Sequence, residues 1–169
     1  YSEICTIVVH STPDVGFTYD TVCYSHPTSF VNSSSISAGS IVSYSWDFGN
    51  GDGNSSTNPV YIYPSYGMFT VKLVAVSNHS CIDSISAVVP VYPSPVVSFY
   101  AANKCHADTL FCVNNSFAPN GGALAYEWNF GDGSMSDIEN PNHVYPAAGN
   151  YAVSLIVTQI ESGCSDSVK

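Results

Sequence analysis

The segment IVSYSWDFG (Ile41–Gly49) sets three aromatic side chains at every second position, Tyr44, Trp46 and Phe48. Successive side chains of a β-strand point to opposite faces, so these three share one face and their polar neighbours share the other. The segment LAYEWNFG (Leu124–Gly131) repeats the arrangement further along the chain. The two segments predict equivalent strands, each with one face in a hydrophobic core.

The chain consists of two copies of one unit. Corresponding residues are 82 positions apart over most of the length, as for Trp46 and Trp128, and one extra residue late in the second copy raises the spacing to 83, as for Cys81 and Cys164. The 169 residues therefore predict two domains of about 80 residues, near the lower limit for a self-sufficient core. Other matching pairs are Phe17 and Phe99, Cys23 and Cys105, Pro59 and Pro141, Tyr63 and Tyr145, Gly67 and Gly149, and Asp83 and Asp166.

Alternating strands and tight turns recur in both copies. The segments GMFTVKLVAV (67–76) and GNYAVSLIV (149–157) alternate with period two, and no segment of similar length has a helical period. The segments FGNGDG (48–53) and FGDG (130–133) supply glycine with Asn or Asp, which is typical of tight turns and favours a turn over a catalytic loop. The pattern predicts an all-β fold class in which each copy is an antiparallel β-sandwich.

Charge and cysteine content indicate which classes of partner are excluded and in which compartment the protein works. The formal net charge is −10, and the basic residues are Lys72, Lys104 and Lys169. Such a chain cannot neutralise a run of phosphates, so we expect no nucleic-acid partner, and no stretch approaches the roughly 18 apolar residues needed for membrane insertion. Six cysteines without a CxxC pair predict a secreted, extracellular protein. The lack of an initiator Met and of a signal peptide indicates a processed or excised segment.

The sequence predicts no enzyme and no cofactor. None of the five histidines has a counterpart in the other copy, and no GxSxG, HExxH or GxGxxG motif is present. Catalysis needs a nucleophile, base and orienter or a metal cluster, and no such set is recognisable, so we expect no catalytic residue. The histidines are His10, His26, His79, His106 and His143.

The motif Tyr-x-Trp-Asp-Phe-Gly, followed by Asn-Pro, Tyr, Gly and an alternating strand, resembles the PKD (polycystic kidney disease) repeat, an immunoglobulin-like β-sandwich. Nearly the whole chain is covered. Copy one matches through Tyr44, Trp46, Asp47, Phe48, Gly49, Asn58, Pro59, Tyr63, Gly67 and Phe69, and copy two through Tyr126, Trp128, Asn129, Phe130, Gly131, Asp132, Gly133, Asn140, Pro141, His143, Tyr145, Gly149 and Tyr151.

Both copies are similar to the cysteine-containing PKD repeats of large secreted Bacteroidota proteins. This resemblance implies two intradomain disulfides, Cys23 with Cys81 and Cys105 with Cys164, each worth about 4 kcal/mol for a loop of roughly 60 residues. Some PKD repeats bind calcium through an Asp-x-Asp-Gly run, but the equivalent loops, 32–40 and 114–123, contain no carboxylate. We therefore expect no metal site of that kind, although a weak site of Asn and backbone oxygens stays open.

Two kinds of glycosylation signal occur. Four Asp-Ser/Thr-aliphatic triplets resemble the O-glycan acceptor motif of secreted Bacteroidota proteins, although such pairs also arise by chance in a Ser-rich chain. Four Asn-x-Ser sequons add N-glycan candidates if the source has the N-linked machinery. The O-linked candidates are Thr21, Ser84, Thr109 and Ser167, and the N-linked candidates are Asn32, Asn54, Asn78 and Asn114.

The repeat register assigns the opening segment to another domain. Aligning Pro13 with Pro95 places Cys5, Ile7 and Val9 at the positions of Ala87, Val89 and Val91 in the last strand of copy one. Residues 1–12 are therefore predicted to be the last strand of a preceding repeat, residues 13–93 repeat 1, and residues 94–169 repeat 2 without its own last strand.

This register leaves two interpretations open. The chain is one period of a longer tandem array, or copies of it polymerise head to tail by donating Ile4, Cys5, Ile7 and Val9 into repeat 2 of a neighbour. In the second case, Cys5 of one copy is expected to bond Cys112 of the copy before it. The alternative for these two cysteines is a pair of buried free thiols.

The predicted function is a non-catalytic building block of an extracellular filament, stalk or adhesin. The partners are copies of itself or further PKD repeats of the same chain, with covalent glycans as a further expectation. The alternative is a spacer or a glycan- or protein-binding PKD module of a larger secreted hydrolase or surface protein.

Overall fold

The computed structural model describes residues 5–169. The chain divides into unit 1 (Tyr1–Val91) and unit 2 (Tyr92–Lys169), two residues before the predicted repeat boundary. Residues 5–169 contain strands and turns but no helix. The all-β fold class, with one sandwich per repeat, is thereby confirmed.

Unit 1 is a sandwich of two antiparallel sheets. Its described strands are β1 (Phe17–Tyr19), β2 (Val22–Cys23), β3 (Thr28–Asn32), β4 (Ile41–Asp47), β5 (Gly53–Asn54), β6 (Val60–Tyr61), β7 (Gly67–Ser77) and β8 (Ile82–Tyr92). One sheet has the order β1-β3-β6 and the other the order β2-β8-β7-β4-β5. In the larger sheet, the long strands β7 and β8 pair with each other, from Gly67 opposite Val91 to Val76 opposite Ile82.

The core of unit 1 lies between these two sheets. Trp46 and Phe48 of the opening motif are buried, together with Leu73 on β7 and Val89 on β8. Phe30 on β3 closes the core from the smaller sheet, with its ring centroid 5.5 Å from that of Trp46. The two-residue period of the sequence therefore identifies the buried face correctly.

Unit 2 repeats the arrangement with fewer paired residues. Its strands are β9 (Phe99–Ala101), β10 (Leu110–Asn114), β11 (Leu124–Asn129), β12 (Met135–Ser136), β13 (Asn142–His143), β14 (Ser154–Gln159) and β15 (Ser165–Val168). The sheet orders are β13-β10-β9 and β12-β11-β14-β15. Trp128, Phe130 and Leu155 are buried in its core, and Cys112 takes the position of Phe30. The two positions make equivalent backbone hydrogen bonds. The Phe30 N–H donates to the Pro59 carbonyl and the Cys112 N–H to the Pro141 carbonyl, each at 3.0 Å.

The described part of the opening segment, residues 5–12, has no strand assignment in this structure. The side chains of Ile7 and Val9 are 80% and 89% exposed. A strand needs a neighbouring backbone for its hydrogen bonds, and no described strand pairs with residues 5–13. Ile4 lies outside the described residues. Donation of this segment into another copy stays a prediction.

Candidate functional site

The glycine-rich turns are structural in both units. In unit 1, Asn50 Nδ2 donates to the Tyr61 hydroxyl at 2.7 Å, and that hydroxyl also bonds Asp52. In unit 2 the equivalent pair is Asp132 with His143, whose Oδ2 and Nε2 atoms are 2.7 Å apart. Each pair joins the turn after the tryptophan strand to a strand of the smaller sheet, β6 in unit 1 and β13 in unit 2.

His143 is held as a packing residue. Its ring stacks on Phe130 at 4.2 Å and meets Tyr145 edge-on at 4.6 Å. The backbone hydrogen bond from Ser134 and the bond from His143 lower the pKa of Asp132. The described contacts of His143 are this bond to Asp132 and the two ring contacts.

The remaining histidines belong to no metal-binding group in the described part of the chain. His10 stacks on His79 with ring centroids 3.6 Å apart, a contact that the sequence did not indicate. His106 lies 3.4 Å from the Pro146 carbonyl. Across residues 5–169, no group of three or more His, Cys, Asp or Glu side chains could hold a metal ion.

The structure contradicts both predicted intradomain disulfides. Cys23 and Cys164 are disulfide-bonded, whereas Cys81 and Cys105 are free thiols. The pairs Cys23–Cys81 and Cys105–Cys164 are therefore not formed.

The reason in unit 1 is that the two cysteines lie at opposite ends of β7. Beside Cys23, the Tyr24 hydroxyl donates to the Pro64 carbonyl at 3.3 Å, next to the start of β7. Cys81 is bonded through its backbone to Ser77, at the end of β7, at 2.9 Å and 3.1 Å. Eleven strand residues span about 33 Å, and a disulfide needs Cα atoms within about 7 Å.

Unit 2 has the same layout. Cys105 lies with Gly149 and Tyr151, which precede β14, along one groove. Cys164 accepts a 2.8 Å backbone hydrogen bond from Gln159, the last residue of β14. The resemblance implied partners for these cysteines, but the direction of β14 keeps them apart.

Cys5 and Cys112 are both free thiols, one exposed and one buried. Burial raises the pKa of the Cys112 thiol, which keeps it protonated and unreactive. A bond from Cys5 of a second copy to Cys112 requires a path into the core of unit 2. It stays a prediction.

The glycosylation candidates differ in access. Thr21, Ser84 and Ser167 are exposed, and Thr109 is half-buried. Among the sequons, Asn54 and Asn78 are exposed, and Asn114 is half-buried. The Asn32 amide nitrogen, the atom that would carry a glycan, is buried without a hydrogen-bond partner. Asn32 is therefore not an acceptor in the folded domain, and the other candidates stay predictions.

A groove of about 690 Å³ lies along unit 2 where unit 1 has the second half of β8. In unit 1 the residues Gly67, Phe69 and Val71 pair with Val91, Val89 and Ala87. Their counterparts in unit 2 line the groove, and no described strand pairs with them. The counterparts are Gly149, Tyr151 and Val153.

The other surface feature is an apolar face on the smaller sheet of unit 2. Tyr100 on β9 pairs directly with Val113 on β10, and Phe111 lies on the same side of β10 as Val113. The exposed fractions are 63% for Tyr100, 46% for Val113 and 56% for Phe111. Lys104 Nζ stands 5.9 Å from the centre of the Phe111 ring. The bridged residues Val96 and Phe117 extend the face.

Unit 1 lacks this apolar face because its counterparts are mostly polar. Thr18 stands for Tyr100, Ser29 for Phe111, and only Val31 keeps the apolar type of Val113. The face is not evident from the sequence of either copy alone. The signal was present in the difference between the two copies at positions that alternate outward.

Comparisons with known proteins agree with this architecture. One PKD domain family model matches residues 10–89, and another matches residues 92–169. A microbial collagenase of Vibrio alginolyticus is 39% identical over 69 residues, 41% of this chain and 8% of that protein. The pre-pro-metalloprotease PrtV of Vibrio cholerae is 28% identical over 127 residues, 75% of this chain and 14% of that protein. The collagenase ColA of Bacillus cereus is 53% identical over 47 residues, 28% of this chain and 5% of that protein.

The chain thus spans no more than 14% of the length of these three curated relatives. Among solved structures, the PKD1 domain of Vibrio anguillarum Epp is 29% identical, with a TM-score of 0.47 over 49% of this chain and 96% of that chain. A carbohydrate-binding module structure from the β-sandwich superfamily is 14% identical, with a TM-score of 0.50 over 95% of this chain and 90% of that chain. The second likeness concerns the fold alone.

Within residues 5–169, no helix is long and apolar enough to cross a bilayer. The family matches at 10–89 and 92–169 fall on the two units that the structure separates. The chain therefore belongs to the PKD domain family, as two PKD domains in tandem.

Proposed function

We propose that this chain is a non-catalytic module of a larger secreted hydrolase, in which unit 2 holds the surface of a fibrous protein substrate. The observation that carries the proposal is the apolar face of unit 2, formed by Tyr100, Phe111 and Val113. The matched relatives named as collagenases and a metalloprotease support a protein substrate.

The chemistry of the face suits an extended protein chain. The two aromatic side chains offer broad apolar contact area with few rotatable bonds, and the Tyr100 hydroxyl is free to bond a backbone carbonyl. Collagen-like helices present proline rings and carbonyls along their length without side-chain burial of their own. Lys104, beside Phe111, adds a donor at the edge of the face.

In this proposal unit 1 acts as a spacer. The same positions in unit 1 carry Thr18 and Ser29, which offer little apolar area. The chain therefore contains a matched internal control for the binding face.

The test is co-sedimentation of the purified chain with insoluble collagen fibrils. The double variant Tyr100→Thr with Phe111→Ser installs the residues that unit 1 already carries at these positions, so it preserves the fold. We expect the wild type to sediment with the fibrils and the double variant to stay in the supernatant. The control variant Thr18→Ala with Ser29→Ala should bind as the wild type does.

Equal binding by the wild type and the double variant would overturn the assignment to this face. Sedimentation with cellulose or chitin but not with collagen would replace the protein substrate by a glycan. The coding sequence on either side of the chain tests the other half of the proposal, because it should contain a hydrolase domain.

A second candidate function is the head-to-tail fibre, and the groove of unit 2 favours it. Unit 1 fills the equivalent place with Val89 and Val91, both buried on β8. The exposed Ile7 and Val9 match those two residues in register. Insertion of this segment from another copy would bury both side chains and complete the sheet.

Electron microscopy of the purified chain tests this candidate. Fibres should form with the wild type and with Val8→Asp, because Val8 points to the other face of the segment. Ile7→Asp with Val9→Asp should abolish them. Monomeric particles from the wild type would count against self-assembly.

A further inference from the structure

We infer that Cys105 of one copy forms a disulfide with Cys81 of the next, which links copies covalently end to end. The inference does not depend on a hydrolase or on strand donation. It comes from the pattern of bonded and free cysteines within the two repeats.

Each cysteine position is bonded in one repeat and free in the other. Cys23 is disulfide-bonded, and its counterpart Cys105 is free; Cys164 is disulfide-bonded, and its counterpart Cys81 is free. The repeat therefore has two disulfide-forming positions, and this chain leaves one of each kind without a partner.

The local backbone is the same in each matched pair. His26 donates to the Cys23 carbonyl and Asp108 to the Cys105 carbonyl, both at 3.1 Å. The turn residue between them has positive φ in both cases, 71° at Ser25 and 68° at Ala107.

The other pair agrees as closely. The Cys81 carbonyl accepts from Ser77 at 2.9 Å, and the Cys164 carbonyl accepts from Gln159 at 2.8 Å. The preceding residue again has positive φ, 61° at Ser80 and 72° at Gly163. The free thiols thus stand on backbone that already supports a disulfide in the sister repeat.

Each of these two free cysteines lies at one end of its own unit. Cys81 belongs to the turn that includes His79, whose ring stacks on His10. Cys105 lines the groove that Lys169 also lines. In unit 1, Cys23 and Cys81 lie at opposite ends of β7, and in unit 2, Cys105 and Cys164 lie beyond opposite ends of β14, so neither free thiol reaches the other cysteine of its own unit. A contact between the Lys169 side of unit 2 in one copy and the His10 side of unit 1 in the next would bring the surfaces that carry Cys105 and Cys81 together.

The oxidation is an ordinary thiol–disulfide exchange. A Cys105 thiolate attacks oxidised glutathione, releases one glutathione thiolate and forms a mixed disulfide. The Cys81 thiolate of the next copy then attacks the protein sulfur and releases the second glutathione. Two protein thiols are oxidised, one glutathione disulfide is reduced to two thiols, and the two protons pass to the buffer or to glutathione.

The experiment uses the full chain with Cys5→Ser, which removes the other exposed thiol. The parent, the Cys81→Ser variant and the Cys105→Ser variant are incubated with a glutathione redox buffer, alone and mixed. Products are separated by electrophoresis without reductant. We expect a ladder of multimers from the parent, monomers from each single variant alone, and dimers from the mixture of the two.

In the mixture, Cys105 of the Cys81→Ser chain has only Cys81 of the Cys105→Ser chain as its partner. A mass label on one variant should therefore show one copy of each in every dimer. Peptide mapping of the parent should give a linked peptide that contains Cys81 and Cys105. A monomeric parent would overturn the inference, and so would dimers from either single variant at the level of the mixture.

Discussion

The Nε2 atom of His143 lies 2.7 Å from Oδ2 of Asp132, in the place where unit 1 has Tyr61 beside Asn50. Two different pairs of side chains thus make the same connection between the glycine-rich turn and a strand of the smaller sheet, β6 or β13. A histidine beside a carboxylate invites a catalytic interpretation, but its counterpart in unit 1 is a tyrosine beside an amide. The connection is what the fold requires, and its chemistry is free to vary.

The Asp132 pair predicts a component of acid stability. Because the folded pKa of Asp132 is lowered, its stabilisation is present above the unfolded value near 3.9 and is lost as pH falls through the folded pKa. Between about pH 4 and pH 2, the melting temperature of the wild type should therefore fall more steeply than that of Asp132→Asn. Thermal unfolding by circular dichroism over this range measures the difference.

Asp137→Asn, which changes an exposed carboxylate, is the matched control, and its melting temperature should change with pH as that of the wild type does. Parallel pH profiles for the wild type and Asp132→Asn would show that the pair has no linkage to folding.

Removing the hydroxyl of Tyr63 and of its counterpart Tyr145 should change the free energy of unfolding in different ways. The Tyr63 hydroxyl is buried without a hydrogen-bond partner, whereas the Tyr145 hydroxyl donates to the Phe130 carbonyl at 3.0 Å. Tyr63→Phe should leave the free energy of unfolding unchanged or raise it by about 1 kcal/mol, and Tyr145→Phe should lower it by about 1 kcal/mol. Urea unfolding of both variants decides the matter, and a loss from Tyr63→Phe would indicate a water-mediated partner.

Burial of Tyr63 also predicts an alkaline effect. Desolvation, with a smaller effect of Tyr61, raises the pKa of Tyr63 above its ordinary value. A raised folded pKa means that stability is intact below the unfolded value near 10 and is lost as pH rises above it. Tyr63→Phe should unfold less readily than the wild type between about pH 10 and pH 12, as followed by far-ultraviolet circular dichroism.

The turn glycines predict a graded series of alanine variants. Gly49 and Gly51 both have positive φ, 80° and 96°, but a Cβ at Gly49 would lie 2.6 Å from the Thr70 carbonyl oxygen, while one at Gly51 meets nothing within 4 Å. Gly51→Ala should cost about 1–2 kcal/mol for the left-handed backbone. Gly49→Ala should cost about 2–5 kcal/mol, because the backbone of β7 must also move.

Equal losses of unfolding free energy in the two variants would show that the turn yields to the added methyl. The same comparison is available in unit 2. A Cβ at Gly131 would lie 2.9 Å from backbone atoms of Ala152, and one at Gly133 meets nothing within 4 Å.

Gln159 predicts a polar contribution to the core of unit 2. Its buried amide donates to Asn120 Oδ1 and to the Gly121 carbonyl, each at 2.9 Å, and accepts from Ser162 at 3.0 Å. Gln159→Leu keeps the volume but leaves three polar groups without this partner, so we expect a loss of about 2–3 kcal/mol in unfolding free energy. Ser162→Ala removes one of the three bonds and should cost about 1 kcal/mol. An unchanged free energy of unfolding in Gln159→Leu would show that solvent reaches these groups.

Features with a local period were accessible from the sequence. The alternation around Trp46 and Trp128 and the spacing of 82 residues gave the strands, the buried faces and the two domains, because side-chain direction in a strand depends only on the adjacent residues. The PKD resemblance extended this to the sandwich. The opening segment at Ile7 was a weaker case, since its alternation needs a partner strand, and none is found among residues 5–169.

Features that depend on where a strand leads were decided only by the tertiary structure. The PKD resemblance implies Cys23 and Cys81 as partners, but they lie at opposite ends of the long strand β7 in unit 1. The burial of the Asn32 amide and the open apolar face at Tyr100 likewise follow from how the smaller sheets pack. Alternation along a strand is a local property, whereas the distance between two side chains depends on the direction and length of every strand between them.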